Sequence, residues 1–221
     1  RIIIKLLNTK DEQLLKGSST IKINDMVSRF LKTYEVFSDK QINNLIGIDD
    51  TLSAKLILNM IDEYKFSKLY SDAEKMMAID SRLNLSDDLL NYTDKITMNF
   101  SIECRVPMLD IDLVNYIESL PHKFKLNFRN GKIIHKQLAK RILPKSIVNR
   151  SKKGFQSPTE FWFREEMNKV KNLLLNRNSN FSNIFNLNEV EKVLDEHLQG
   201  FNKDKQIFLL LSLYYWFKNN N

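Results

Sequence analysis

Glycine is scarce in this sequence: there are five in 221 residues, where ordinary usage near 7% would give about fifteen. They stand far apart, as Gly17, Gly47, Gly131, Gly154 and Gly200. A loop that cradles phosphate needs glycines close together, because backbone N–H groups must approach the anion. The sequence therefore contains no P-loop, no dinucleotide-binding fingerprint and no S-G-G-x-D-S loop of the ATP pyrophosphatases.

Cysteine and long apolar runs are scarce as well. Cys104 is the single cysteine, so we expect neither a disulfide framework nor a cysteine zinc site. His122, His135 and His197 show no metal-ligand spacing, and we assign no metal-binding residue. No apolar run approaches 18 residues, so no membrane span is expected, and a cytoplasmic protein is the default.

Helical periodicity dominates the remaining pattern, which predicts a mainly α fold. Apolar stripes indicate helices over residues 26–34, 52–64, 73–83, 111–120, 134–142 and 207–217, the last of them apolar nearly all round and expected to be buried. Phe124, Leu126 and Phe128 alternate ahead of Gly131, which leaves a short hairpin arm open. Strand evidence is otherwise thin.

Three helix starts can be read from capping residues. Residues 38–41 form a capping box, and Gly47 can end the helix that follows. Residues 157–160 form a second box, with Pro158 expected at the first helical position. Asn188 is expected to cap a later helix.

Charged side chains alternate with apolar ones around Glu103 and Arg105. A buried or half-buried Glu-x-Arg is costly unless it is paired, so the pattern indicates a function. Residues two apart in an extended segment point the same way, so both could face one cleft. A structural ion pair is the alternative. Asp110 is better interpreted as a helix N-cap, and Asp94 and Lys95 could form a surface pair.

Lys152 and Lys153 follow Arg150 and precede Gly154-Phe155. A solvated basic turn is the plainer interpretation. The functional one is a lysine held on a loop over a polyphosphate, because an ammonium group is a compact charge that can neutralise a leaving pyrophosphate.

These segments resemble the synthetase domain of glutamine-dependent asparagine synthases. Residues 94–98, 101–110 and 150–155 are similar to that family's D-R-M-S-M, L-E-A-R-V-P-F-L-D and R-P-K-K-G-F runs. Further similar stretches follow in the same order, so that the resemblance covers about residues 30–217. Lys95, Met108 and Ser151 depart from the usual arginine, phenylalanine and proline, and none of these changes removes a charge.

The resemblance implies a fold for the whole domain and indicates which part of that domain this chain would form. Residues 1–221 would be a single C-terminal helical part of an α/β domain like that of the adenine-nucleotide α-hydrolases, with the parallel sheet and nucleotide loop missing from this chain. The implied enzyme is a glutamine-hydrolysing ligase. It adenylates aspartate with ATP and aminates the adenylate with ammonia, giving asparagine, AMP and pyrophosphate. We expect the chain alone to be inactive.

The resemblance also implies roles and partners. Lys152 would stabilise the leaving pyrophosphate, Glu103 would line the acceptor or ammonia side, Arg105 would orient Glu103 or a phosphate, and Lys153 would bind ATP. ATP and Mg²⁺ would be bound mainly by an upstream nucleotide-loop half, and ammonia would come from a glutaminase domain. A homodimer is left open.

Two other interpretations remain. The same fold could act on another acceptor, such as a cell-surface sugar or peptide. A non-enzymatic basic helical module would need its cations gathered on one face with aromatics between them, whereas lysines and arginines here occur along the whole chain. We therefore expect no nucleic-acid partner.

Overall fold

The structure is a computed structural model that describes residues 20, 23–48, 52–66, 68–127, 131–150 and 157–220. The predicted mainly α fold is confirmed, and the described residues form no β-strand. Leu126 and Gly131 make an isolated antiparallel bridge. The hairpin arm left open by the sequence does not include Phe124, which lies in a helix, and Phe128 lies outside the described residues. No helix in the described ranges is long and apolar enough to cross a membrane.

The helices follow one another with short connections. In chain order they are α1 Met26–Tyr34, α2 Asp39–Ile46, α3 Leu52–Tyr64, α4 Asp72–Asp80, a π-helix Ser81–Leu90, α5 Asn91–Met98, a 3₁₀ turn Pro107–Leu109, α6 Ile111–Ser119, α7 His122–Lys125, α8 Ile133–Ile142, α9 Lys145–Val148, α10 Thr159–Glu165, α11 Met167–Leu174, a 3₁₀ turn Asn180–Asn183, α12 Leu187–Leu198 and α13 Asp204–Asn219.

The chain divides into two compact units. The first unit comprises residues 1–59 and 155–221, and the second comprises residues 60–154, so the division falls inside α3. A single domain over residues 1–221 stays a prediction.

The capping box at the start of α2 is confirmed. The Ser38 N–H donates to Gln41 Oε1 at 3.0 Å, and the Gln41 N–H donates back to Ser38 Oγ at 3.4 Å. Gly47 ends the helix with a φ of +69°, a left-handed conformation that favours glycine. These interactions join residues that are close together in the chain, so the start and end of α2 could be predicted from the sequence alone.

Two other predicted helix starts are wrong. Pro158 is the N-cap of α10 rather than its first residue, and no capping box forms, because the Glu160 carboxylate instead binds Arg164 and Asn202. The cap of α12 is Asn186 rather than Asn188, since Asn186 Oδ1 accepts the Asn188 N–H at 3.1 Å. Both errors are shifts of one or two residues.

The first unit contains the hydrophobic core. Its centre joins α11, α12 and α13 with α2, the loop before α2 and the 3₁₀ turn Asn180–Asn183, through Phe37, Leu45, Met167, Val170, Leu174, Phe181, Val190, Val193, Leu194, Ile207, Leu210 and Tyr214. The expectation that α13 is buried all round is wrong. One face of it is buried, while Phe208 is 59% exposed and Trp216 is 57% exposed.

A buried histidine joins three helices of the first unit. The His197 side chain, on the last turn of α12, is fully buried. Its Nε2 lies 3.0 Å from the Glu160 carbonyl oxygen of α10, and its Nδ1 accepts the Lys203 N–H at 3.1 Å. This pattern places the ring proton on Nε2. Burial lowers the pKa of His197, because a charged imidazolium would lose its solvation.

The second unit has little buried apolar surface. Among its described residues Ile79 is the buried apolar side chain. Large apolar side chains on most of its helices and in its loops are exposed, including Leu69, Leu89, Tyr92, Phe100, Ile111, Tyr116, Leu138, Ile142 and Ile147. Helices with amphipathic faces are stable when those faces are covered. The second unit leaves them uncovered.

Candidate functional site

The segment carrying Glu103 and Arg105 is anchored at its start by the end of α5. The Ser101 N–H donates to the Met98 carbonyl at 2.9 Å, and the Ile102 N–H donates to the Thr97 carbonyl at 3.1 Å. These two bonds form a Schellman motif. Ser101 occupies the left-handed position with a φ of +56°, where glycine is usual. The chain therefore leaves α5 in a fixed direction.

The same segment is anchored at its other end by α6. Asp110 Oδ1 accepts the N–H groups of Asp112 and Leu113, both at 3.1 Å. This geometry confirms the predicted N-cap, which satisfies two backbone donors that have no partner within the helix. Residues 102–106 have no regular secondary structure and lie between two capped helix ends.

Glu103 and Arg105 form an ion pair across this stretch. Arg105 Nη2 lies 2.7 Å from Glu103 Oε1. Their side chains are 68% and 83% exposed, so the pair is not buried within the described chain. An exposed pair contributes at most about 1 kcal/mol to stability. Fold stability therefore gives little reason for this pair, and both groups are available to a ligand or to another part of the protein.

A shallow depression of about 520 Å³ surrounds the pair. Its lining residues come from the end of the π-helix, from residues 103–106, and from the 3₁₀ turn and helix cap that follow, and they are Leu90, Glu103, Cys104, Arg105, Val106, Pro107, Leu109 and Asp110. The lining combines two carboxylates, one guanidinium and a thiol with apolar groups. Such a surface can hold a small polar molecule by charge while excluding water on one side.

Sequence reasoning missed two contributors to this depression. Leu90 comes from the helix before the motif, and no local pattern pairs it with residues 103–110. Cys104 is exposed and lies between the two charges. Its position inside the motif was the available signal.

The lysines of the predicted site, Lys152 and Lys153, lie outside the described residues. The nearest described residue before them is Arg150, which is exposed. The expectation that Lys152, Glu103 and Arg105 converge on one cleft stays a prediction. Asp94 and Lys95 are exposed on α5.

Comparison with known proteins identifies the family. The sequence profile described as asparagine synthase matches residues 10–218, which is nearly all of the chain. The chain belongs to the asparagine synthase family. The motif segment, the depression and the whole of the second unit fall inside the matched range.

Individual relatives are similar over shorter stretches. Asparagine synthetase [glutamine-hydrolyzing] 1 of Bacillus subtilis is 35% identical over 109 residues, which are 49% of this chain and 17% of that protein. Asparagine synthetase [glutamine-hydrolyzing] 3 of the same organism is 34% identical over 68 residues, 31% of this chain and 11% of that protein. Amidase chry2 of Gibberella zeae is 27% identical over 130 residues, 55% of this chain and 19% of that protein.

The matched segment is a small part of these relatives. It spans less than a fifth of the length of each one. No solved structure is significantly similar to the chain.

Proposed function

We propose that this chain is the helical part of an ATP-dependent amidotransferase. The whole enzyme would adenylate the side-chain carboxylate of aspartate and aminate it with ammonia derived from glutamine, giving asparagine, AMP and pyrophosphate. The observation that carries this proposal is the exposed Glu103–Arg105 pair on an anchored stretch, within a chain whose family match is nearly complete.

The chemistry divides into two displacements. A carboxylate oxygen of aspartate attacks the α-phosphorus of ATP, and the bond to the bridging oxygen of pyrophosphate breaks. Ammonia nitrogen then attacks the acyl carbon, and AMP leaves with the electron pair of the broken acyl–oxygen bond. Negative charge grows on pyrophosphate in the first step, so a preorganised cation beside it lowers the barrier. Lys152 has that role in the proposal, with Lys153 binding ATP.

In this proposal, Glu103 and Arg105 line the side of the site that binds the acceptor and ammonia. The Glu103 carboxylate can accept N–H hydrogen bonds from ammonia or from the amino group of aspartate. Arg105 holds that carboxylate at 2.7 Å, and its remaining donors are free to bind an anionic oxygen.

A magnesium ion would neutralise part of the phosphate charge. The described residues contain no group of three His, Cys, Asp or Glu side chains that could hold a metal. They do not fit a magnesium site, and no step is assigned to one here. We propose that ATP and Mg²⁺ are bound mainly by an upstream nucleotide-loop part.

The exposed apolar faces of the second unit support a partner of that kind. Side chains such as Ile111, Leu138 and Ile142 are 67%, 57% and 73% exposed. Covering amphipathic helices with a sheet is the ordinary solution in α/β proteins. A glutaminase domain supplying ammonia, a homodimer and a cytoplasmic location also stay predictions.

A second acceptor class is the alternative. A relative named as an amidase lies in the same similarity range as the synthetases. The same adenylation and amination would serve a carboxylate on a sugar or peptide.

The test uses the enzyme that joins this chain to its upstream part. We expect pyrophosphate release that depends on aspartate, and asparagine detected by mass spectrometry. Glu103→Gln should lower asparagine formation, because a neutral amide stabilises less well the positive charge that develops on the ammonia nitrogen as it attacks the acyl carbon. Glu63→Gln is the matched control, since Glu63 is an exposed carboxylate of the same unit. Pyrophosphate release with other carboxylates but not with aspartate would favour the second acceptor class, and none at all would refute the proposal.

A further inference from the structure

Acidic residues are missing from one long stretch of the chain. Between residues 119 and 159 there are eleven of the 34 lysines and arginines and none of the 27 aspartates and glutamates. Cations occur along the whole chain, but elsewhere acidic residues accompany them. The positive net charge of +7 therefore arises from this stretch, which we call the basic block.

The structure gives part of the basic block a single face. Lys136 and Lys140 lie four residues apart on α8, a spacing that places them on one side of the helix, and Lys132 is the N-cap residue directly before it. All three are exposed. Arg141, in the last turn of α8, and Lys145, at the start of α9, are also exposed.

The cations of α8 differ in their ion pairing from Arg164 of α10 and Lys169 of α11. Arg164 pairs with Glu160 at 2.7 Å and Lys169 pairs with Glu166 at 2.6 Å, each within three or four residues. Among the described residues, no ion pair involves a cation of α8. Like charges four apart destabilise a helix by about 0.2–0.5 kcal/mol for each pair. The cationic face of α8 thus slightly weakens the helix that carries it.

A surface of one sign acts at a distance. It raises the local concentration of oppositely charged ligands and their association rate, by factors that fall steeply with ionic strength. The polyphosphate of a nucleotide is the most highly charged small molecule in the proposed reaction. The basic block runs from α8 through Arg150 into Lys152 and Lys153, so its charge continues up to the lysines proposed to contact that polyphosphate.

We propose that the cationic face of α8, with Lys136 and Lys140 on the helix and Lys132 at its N-cap, steers the polyphosphate of the nucleotide towards the synthetase site. This inference rests on the proposed function. It concerns association, so these lysines need not touch the bound nucleotide. Their removal should therefore change kcat/KM for the nucleotide and leave kcat unchanged.

The experiment compares two triple variants of the enzyme that joins this chain to its upstream part. One carries Lys132→Gln, Lys136→Gln and Lys140→Gln. The matched control carries the glutamine substitutions at Lys40, Lys169 and Lys192, exposed lysines of the first unit, and loses the same net charge. Initial rates of pyrophosphate release are measured against MgATP at ionic strengths from about 0.02 M to about 0.3 M.

We expect the α8 variant to lose about threefold or more in kcat/KM for MgATP at low ionic strength, with a flatter salt dependence than the parent. The control variant should follow the parent. Equal kcat/KM and equal salt dependence in the two triple variants would overturn the steering proposal while leaving the proposed function intact. A parent without carboxylate-dependent pyrophosphate release would overturn both.

Further measurements test whether the effect of the α8 variant comes from steering of the nucleotide. The parent alone must show a kcat/KM for MgATP that falls with ionic strength, and a flat profile would refute steering without any variant. Loss of binding to a single-stranded RNA probe in the α8 variant, with unchanged MgATP kinetics, would assign the face to nucleic acid instead. Circular dichroism should show full helix content in the variant, because its substitutions relieve repulsion.

Discussion

At the scale of single residues, replacing Lys152 is expected to have the largest effect on activity. In the enzyme that joins this chain to its upstream part, Lys152→Ala should depress adenylate formation by about 10²–10³, roughly 3–4 kcal/mol, as for other lost preorganised contacts to developing charge. Glutamine hydrolysis should be largely unaffected, since the proposed function assigns that chemistry to a separate glutaminase domain. Pyrophosphate release and glutamate formation, measured in parallel, test both statements.

Neighbouring substitutions control this prediction. Lys152→Arg should rescue poorly, because a planar guanidinium does not reproduce a compact ammonium charge. Lys153→Ala should be mild. The reverse order, with Lys153→Ala the more damaging, would shift the role by one residue. If neither Lys152→Ala nor Lys153→Ala lowers the rate, the two lysines belong to a solvated basic turn without a catalytic role.

Residue roles that depend on short-range bonds could be predicted from the sequence. Asp110 and Ser38 bind backbone or side-chain groups two or three residues away, so their capping roles follow from adjacent letters. The exposure of Glu103 and Arg105 could not be predicted. Their apolar neighbours suggested burial, but burial depends on which elements cover the stretch, and these lie elsewhere in the chain or outside it.

At the scale of elements, the end of α5 offers a direct test of backbone strain. Ser101→Gly should raise the free energy of unfolding by about 1 kcal/mol, because a left-handed φ costs a serine what it does not cost glycine. Chemical denaturation followed by circular dichroism measures this change. Ser119→Gly in the last turn of α6 is the control, and it should destabilise, since glycine is a poor helix former. A Ser101→Gly variant less stable than the parent would contradict the Schellman geometry.

The helix junction at His197 predicts a pH dependence. The lowered pKa of His197 means that the unfolded chain, with an ordinary histidine pKa of about 6.5, binds a proton more readily than the folded chain. Stability is therefore full above about pH 6.5 and falls as the pH drops below that value towards the folded pKa. The charged groups around the ring are Glu160, Arg164, Lys203 and Asp204.

Tryptophan fluorescence can follow this transition in the first unit alone. The two tryptophans are Trp162 and Trp216, and both belong to that unit. His197→Gln should unfold at lower urea concentration at pH 7.5 and lose less stability between pH 7.5 and pH 5 than the parent does. His135→Gln, at an exposed histidine of α8, should leave the slope unchanged. A parent whose stability is constant over this range would contradict the buried neutral ring.

Element positions were largely predictable, and element boundaries were not. The stripes of α1, α3, α6 and α8 were correct because each shows a helical period over several turns. The break between α10 and α11 at Glu166 carries no glycine or proline. It is set by tertiary bonds, such as that between Arg164 Nε and the His197 carbonyl at 3.3 Å, which no local pattern encodes.

At the scale of the whole molecule, the two units should differ in local stability. The first unit has a buried core, while the second exposes most of its large apolar side chains. The free energy of local unfolding is higher where more apolar contacts are buried. Amide hydrogens of α12 and α13 should therefore exchange much more slowly than those of α6 and α8. Hydrogen exchange read by mass spectrometry on the chain alone measures this difference.

The same measurement on the chain joined to its upstream part completes the test. Exchange in α6 and α8 should slow markedly, because their apolar faces become covered. Equal protection of both units in the chain alone would show that the second unit needs no partner. Unchanged exchange after joining would place its partner elsewhere.

The lone exposed thiol between Glu103 and Arg105 has a practical consequence. A maleimide dye should attach to this protein once and at one position, with no engineered cysteine and no competing site. The dye would then sit within one residue of both charges of the candidate site. Its emission would report when a small molecule or another chain segment arrives there, so the native sequence already supplies its own optical sensor.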